Sequence, residues 1–128
     1  MSVHIAFETP EDKQQDVYDL VRDISKDPDG RLKKGSNEVT KAAERGVAKM
    51  VIMAEDVNPG ELLAHIPMIC NEKEIPFIYV ANQAELGKQI WGLETGRSCA
   101  SVAIMEHGNN LDSQFKGIKE VCTELSSA

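Results

Sequence analysis

Three short, nearly unbroken apolar runs constrain this chain most: Met50–Ala54, Phe77–Val80 and Ser101–Met105. A strand with one wet face alternates apolar and polar residues, whereas a strand covered on both faces need not. These runs therefore predict strands with protein packed above and below them. The segments between them repeat apolar residues at helical spacing. Glu11–Ser25 does so through Val17, Leu20, Val21 and Ile24, with Thr9 as its expected cap and Pro10 in the first turn. Asp112–Leu125 does so through Phe115, Ile118, Val121, Cys122 and Leu125.

Between these elements, Arg31–Lys34 reads as a short edge strand after the turn Asp27-Pro28-Asp29-Gly30. Ser36 is the expected N-cap of a helix running to about Arg45, which Gly46 closes. A helix beginning at Pro59 carries Leu62, Leu63 and Ile66, is interrupted at Pro67, and resumes over Met68–Glu74. Another helix spans Gln83–Trp91, followed by a loop over Gly92–Ala100. The pattern predicts an α/β fold: a three-layer α/β/α sandwich around a small four-stranded mixed sheet, mainly parallel. The 128 residues suit one domain, 1–128. Loops after strand C-termini are the expected functional edge of such sheets.

Composition and motifs exclude several classes. No apolar run approaches the roughly 18–20 residues of a membrane span. Met1-Ser2-Val3-His4 shows no basic stretch leading into an apolar one, so no secretory signal is expected and the location is cytoplasmic. The three cysteines, Cys70, Cys99 and Cys122, form no C-x-x-C pair and suit reduced core thiols. His4, His65 and His107 lack metal-ligand spacing, and no phosphate-loop, dinucleotide or nucleophile-elbow motif is present. No cofactor, metal or catalysis is expected. The alternatives left open are a small α/β enzyme using Glu55, Asp56 and Cys99, and a protein-interaction module of a larger particle.

Net charge is −7, which by itself argues against nucleic acid. Arg31–Lys49 nevertheless carries +4, through Arg31, Lys33, Lys34, Lys41, Arg45 and Lys49 against Glu38 and Glu44. A local basic surface on an acidic body is one reading of that segment, and a solvated helix face is the other. Within it, Asn37, Glu38 and Lys41 fall on one helical face, because residues three and four apart are neighbours. Gly35 allows a ligand to approach the backbone, and amides at a helix start favour phosphate oxygens. An acceptor and two donors on one rigid turn suit base edges better than a phosphate alone.

On this string the chain resembles the archaeal L-seven-Ae ribosomal proteins, the kink-turn RNA-binding family. The resemblance covers Lys34-Gly35-Ser36-Asn37-Glu38-Val39-Thr40-Lys41-Ala42, Glu44-Arg45-Gly46 and Val51 through Pro59. It continues through Ala64-His65-Ile66-Pro67, Cys70 through Val80, Glu85-Leu86-Gly87 and Ser101-Val102-Ala103-Ile104. It implies an RNA-binding protein that stabilises kink-turns in ribosomal RNA and in guide RNAs of C/D and H/ACA modification particles, with archaeal members also joining RNase P. The implied partners are that RNA and the scaffold protein of the modification particle; no membrane is involved, and the free protein is a monomer.

The resemblance assigns RNA contacts to Lys34, Gly35, Ser36, Asn37, Glu38, Lys41 and Arg45. A kink-turn holds sheared G·A pairs beside a short bulge; Glu38 would accept from guanine N–H groups, and Asn37 and Lys41 would donate to O6. Asn58 and Leu62 match a pocket for a nucleotide flipped out of the bulge. Leu93, Glu94 and Thr95 match a third contact, at the loop before the last strand. There the chain departs from the family: Lys88-Gln89-Ile90-Trp91 replaces a small, alanine-rich stretch and is slightly longer, and Thr95 stands where valine is common. Gly96–Ala100 is also lengthened, and Asn82 and Gln83 replace Lys and Ser residues, removing a phosphate contact.

Overall fold

The computed structural model describes residues 7–57, 63–92 and 96–127. In chain order the elements are α1 (Glu11–Lys26), β1 (Arg31–Lys34), α2 (Ser36–Glu44), β2 (Met50–Ala54) and α3 (Ile66–Lys73). Then come β3 (Phe77–Val80), α4 (Gln83–Trp91), β4 (Ser101–Glu106), a single turn of 3-10 helix at Asn109–Leu111, and α5 (Asp112–Ser127).

The apolar runs form strands because alternate side chains have somewhere to go on both faces. Met50 and Ile52 of β2, Ile78 and Val80 of β3, and Val102 and Ile104 of β4 face one layer, packed on Val17, Leu20, Val21 and Ile24 of α1, Leu86 of α4 and Phe115, Ile118 and Cys122 of α5. Val51 and Met53, Phe77 and Tyr79, and Ala103 face the other, against Val39, Ala42 and Ala43 of α2 and Ile66 and Cys70 of α3. The result is the expected α/β/α sandwich. Every residue of β2 and β3 is buried, and each large aliphatic among them contributes roughly 1.5–3 kcal/mol by leaving water.

The sheet has the order β1-β4-β2-β3. It is mixed, as expected, but not mainly parallel. Of the three pairings only β2–β3 is parallel; β4 lies between β1 and β2 and is antiparallel to both. Covering both faces requires helices on both sides and leaves strand direction open.

Three helix starts differ from the expectation. Ser36 is the first residue of α2, and Gly35, at φ +96° and ψ 149°, stands at the cap. Pro10, not Thr9, caps α1, and the Thr9 hydroxyl is buried without a hydrogen-bond partner. Pro67 lies in the first turn of α3 and opens that helix rather than interrupting one; a proline there lacks only an N–H that the helix would not use. His65, expected mid-helix, sits just before α3. The expected helix start at Pro59 lies outside the described residues.

Candidate nucleic-acid interface

Four segments meet at one edge of the sheet. The Ala54 N–H donates to the Ala100 carbonyl at 2.9 Å and the Glu55 N–H to the Val80 carbonyl at 2.8 Å, which joins the ends of β2 and β3 to the start of β4. The Gly35 N–H donates to the Ser101 carbonyl at 3.0 Å, which brings the β1–α2 junction to the same place. Strand C-termini and the antiparallel N-terminus of β4 together make this edge.

α2 begins there without a side-chain cap. Gly35 adopts a backbone conformation reserved in practice for glycine, and a Cβ at that position would meet nothing within 4 Å. The glycine is thus required by its dihedral angles, and the space in front of it is open. Asn37, Glu38 and Lys41 are exposed. Lys41 Nζ lies 4.0 Å from Glu38 Oε1, so these two do share a face; a surface pair at that distance is worth little by itself and leaves both groups available. At its other end α2 closes as expected. The Gly46 N–H donates to the Ala43 carbonyl at 3.0 Å and the Val47 N–H to the Ala42 carbonyl at 3.1 Å, around Gly46 at φ +69°. Arg45, also exposed, stands at that C-terminal end, away from Gly35.

The basic segment does not form one surface. Lys34 pairs in register with Val102 near the start of β4, whereas Arg31 pairs with Glu106 at its end. Lys49 Nζ is 2.9 Å from Glu106 Oε2 at that opposite edge. This ion pair and the Arg31 charge hold the Glu106 carboxyl below the usual carboxylate range. The cations that face the start of α2 are therefore Lys34 and Lys41, together with one residue sequence reading passed over. Arg97 places Cζ 4.0 Å from the ring centroid of Trp91, and Lys34 Nζ lies 5.7 Å from the same centroid. Neither helical nor strand periodicity places a cation on this ring, so the sequence carries no signal for it.

Cys99 and Asp56, two of the residues an enzyme would use, are engaged in holding the fold. Cys99 is buried, and its Sγ donates to the Ser101 carbonyl at 3.0 Å. Burial pushes its thiol up, away from the thiolate that nucleophilic chemistry needs. Asp56 spends Oδ1 on the Gln83 N–H at 2.9 Å, capping α4. Burial pushes the Cys70 and Cys122 thiols up to about 12. Among the described residues no group of three His, Cys, Asp or Glu could hold a metal, and no helix is long and apolar enough to cross a membrane. Asn58, Leu62, Leu93, Glu94 and Thr95 lie outside the described residues.

Residues 15–114 match the model of the ribosomal protein L7Ae/L30e/S12e/Gadd45 family. The chain belongs to this family. It is 41% identical over 122 residues to the large ribosomal subunit protein eL8 of Thermoplasma volcanium, spanning 95% of each chain. Its fold is also that of the Giardia lamblia 15.5kD RNA binding protein, with a TM-score of 0.86 over 98% of this chain and 99% of that one, at 23% identity.

Proposed function

We propose that this chain is a single-domain RNA-binding component of a ribonucleoprotein, without catalysis of its own, that recognises kink-turns. The observation that carries the reading is the exposed Asn37–Glu38–Lys41 face beside Gly35, at a helix start no side chain caps, in a chain of the L7Ae family. Glu38 accepts from guanine N–H groups of a sheared G·A pair, while Asn37 and Lys41 donate to O6. Backbone amides at the start of α2, with Lys34, Gly35 and Ser36, meet the phosphates. Asn58 and Leu62 receive the flipped nucleotide, and Leu93, Glu94 and Thr95 close on the bulge. Arg45 adds a phosphate contact further along α2.

By binding the bent form of the RNA preferentially, the protein shifts its folding equilibrium toward the kink. The RNAs are ribosomal RNA and the guide RNAs of C/D and H/ACA particles, with RNase P as a further setting. The free protein is a cytoplasmic monomer that then meets a scaffold subunit. The relatives support this reading: one is a large-subunit ribosomal protein and the other an RNA-binding protein.

Titration with a kink-turn RNA tests it. One protein binds per RNA, and a duplex of equal length without the G·A pairs binds far more weakly. With few cations at the edge in a chain of net charge −7, log affinity falls against log salt with a slope on the order of −2 to −4. Equal affinity for the two RNAs, or a slope near about −10, removes this reading.

A further inference from the structure

The first residues after the undescribed stretch 93–95 are fastened to α4 at three points spaced four residues apart. The Cys99 N–H donates to the Gln83 carbonyl at 2.9 Å. Gly87 is buried, and a Cβ there would run into the Arg97 carbonyl, with Ser98 Cα only 2.9 Å away. Trp91 then carries the Arg97 guanidinium on its ring at 4.0 Å. Gly87 and Trp91 lie one helical turn apart on the same face, so α4 seats Arg97 by its backbone and by its side chain at once.

This seating leads directly to the start of α2. Ser101, which receives the Cys99 thiol, also receives the Gly35 N–H at 3.0 Å. The charges of Lys34 and Arg97 both reach the Cys99 sulfur, and Lys34 approaches the same indole. Two like charges brought to one ring repel. The negative face of the ring offsets part of that cost and reduces the freedom of two long side chains. A fixed cation pair beside amides that lack a cap suits anionic oxygens.

We propose that Trp91 is a positioning residue that holds Arg97 and Lys34 ready for the phosphates of a bound RNA, and that Arg97 thereby joins the interface. This rests on the reading of this edge as an RNA site. It gives the lengthened 88–91 segment a role: the added bulk supplies the platform.

The experiment measures kink-turn RNA affinity between about 50 and 200 mM salt for wild type, Trp91→Phe, Trp91→Ala, Arg97→Ala and the Trp91→Ala/Arg97→Ala pair. Arg97→Ala weakens binding several-fold and reduces the salt slope by about 1. Trp91→Ala reduces it by about 1–2, Trp91→Phe restores most of the slope, and Arg97→Ala has little further effect once Trp91 is gone. A purely structural role would lower thermal stability and leave the slope unchanged. Intact binding with unaltered slopes in Arg97→Ala and Trp91→Ala, or additive effects in the pair, overturns the proposal alone. Absence of kink-turn binding by wild type removes both this proposal and the reading beneath it.

Discussion

α4 and α2 begin at the same edge of the sheet and treat their first turns in opposite ways. At α4 the donors are used internally. Asn82 Oδ1 accepts the Glu85 N–H at 2.9 Å, Asp56 Oδ1 accepts the Gln83 N–H at 2.9 Å, and the Tyr18 hydroxyl accepts the Asn82 N–H at 3.2 Å. At α2 a glycine in a rare conformation stands at the cap, and among the described residues no side chain takes the free amides. A capped start adds to stability; an uncapped start beside an exposed polar face is left for a ligand. On the proposed function, the difference separates residues that hold the fold from residues that meet RNA along one edge, although Asn82-Gln83 and Ser36-Asn37 look equally suited to capping in sequence.

The largest effect is expected from Gly35→Ala, which attacks both sides of this contrast. Forcing a side chain to φ +96° costs about 1–3 kcal/mol of stability, and the shifted helix start weakens kink-turn binding too. Urea denaturation and RNA titration read the two effects; a fully stable variant would show that α2 tolerates another cap geometry. Glu38→Ala should separate them, losing roughly 1–3 kcal/mol of RNA affinity with an unchanged unfolding midpoint. Unchanged affinity with native circular dichroism would take Glu38 out of the site.

Asn82→Ala should show the reverse: about 1 kcal/mol less stable with RNA affinity nearly intact. A large affinity loss here would mean that α4 also meets RNA directly. The smallest effect is acid sensitivity at the opposite edge and at the start of α5. Lys49 holds the Glu106 carboxyl low, and Lys116 and His107 hold Asp112 low. Because the folded values lie below the unfolded ones, their contribution is present at neutral pH and is lost as pH falls through the carboxylate range, below about pH 4. Lys49→Met should flatten the acid limb of the stability profile slightly and leave RNA binding unchanged. A loss of affinity would place the opposite edge in the interface.

Much of the fold was legible because it depends on local periodicity. β1, β2, β3 and α4 have the limits their residue patterns predict, and the two faces of each strand follow from period-two alternation against two cores. The shared face of Glu38 and Lys41 was equally local. The helix starts were harder, since Ser36 and Gly35 both qualify as caps and only backbone dihedrals choose between them. Of the two readings of the basic segment, a single surface fails for a longer-range reason: β1 runs alongside β4, and its two ends place Arg31 and Lys34 at opposite ends of that strand.

The sequence by itself determined which residues form strands, which helical faces are buried and where the Asn-Glu-x-x-Lys string sits, because spacing along a chain fixes which side chains share a face. The tertiary structure decided that β4 inserts antiparallel between β1 and β2. That placement sets the Ser101 carbonyl against Gly35 and lays Arg97 over Trp91 beside the start of α2. Strand pairing depends on partners distant in sequence, and hydrogen bonds between strands can form in either direction, so no local pattern specifies it.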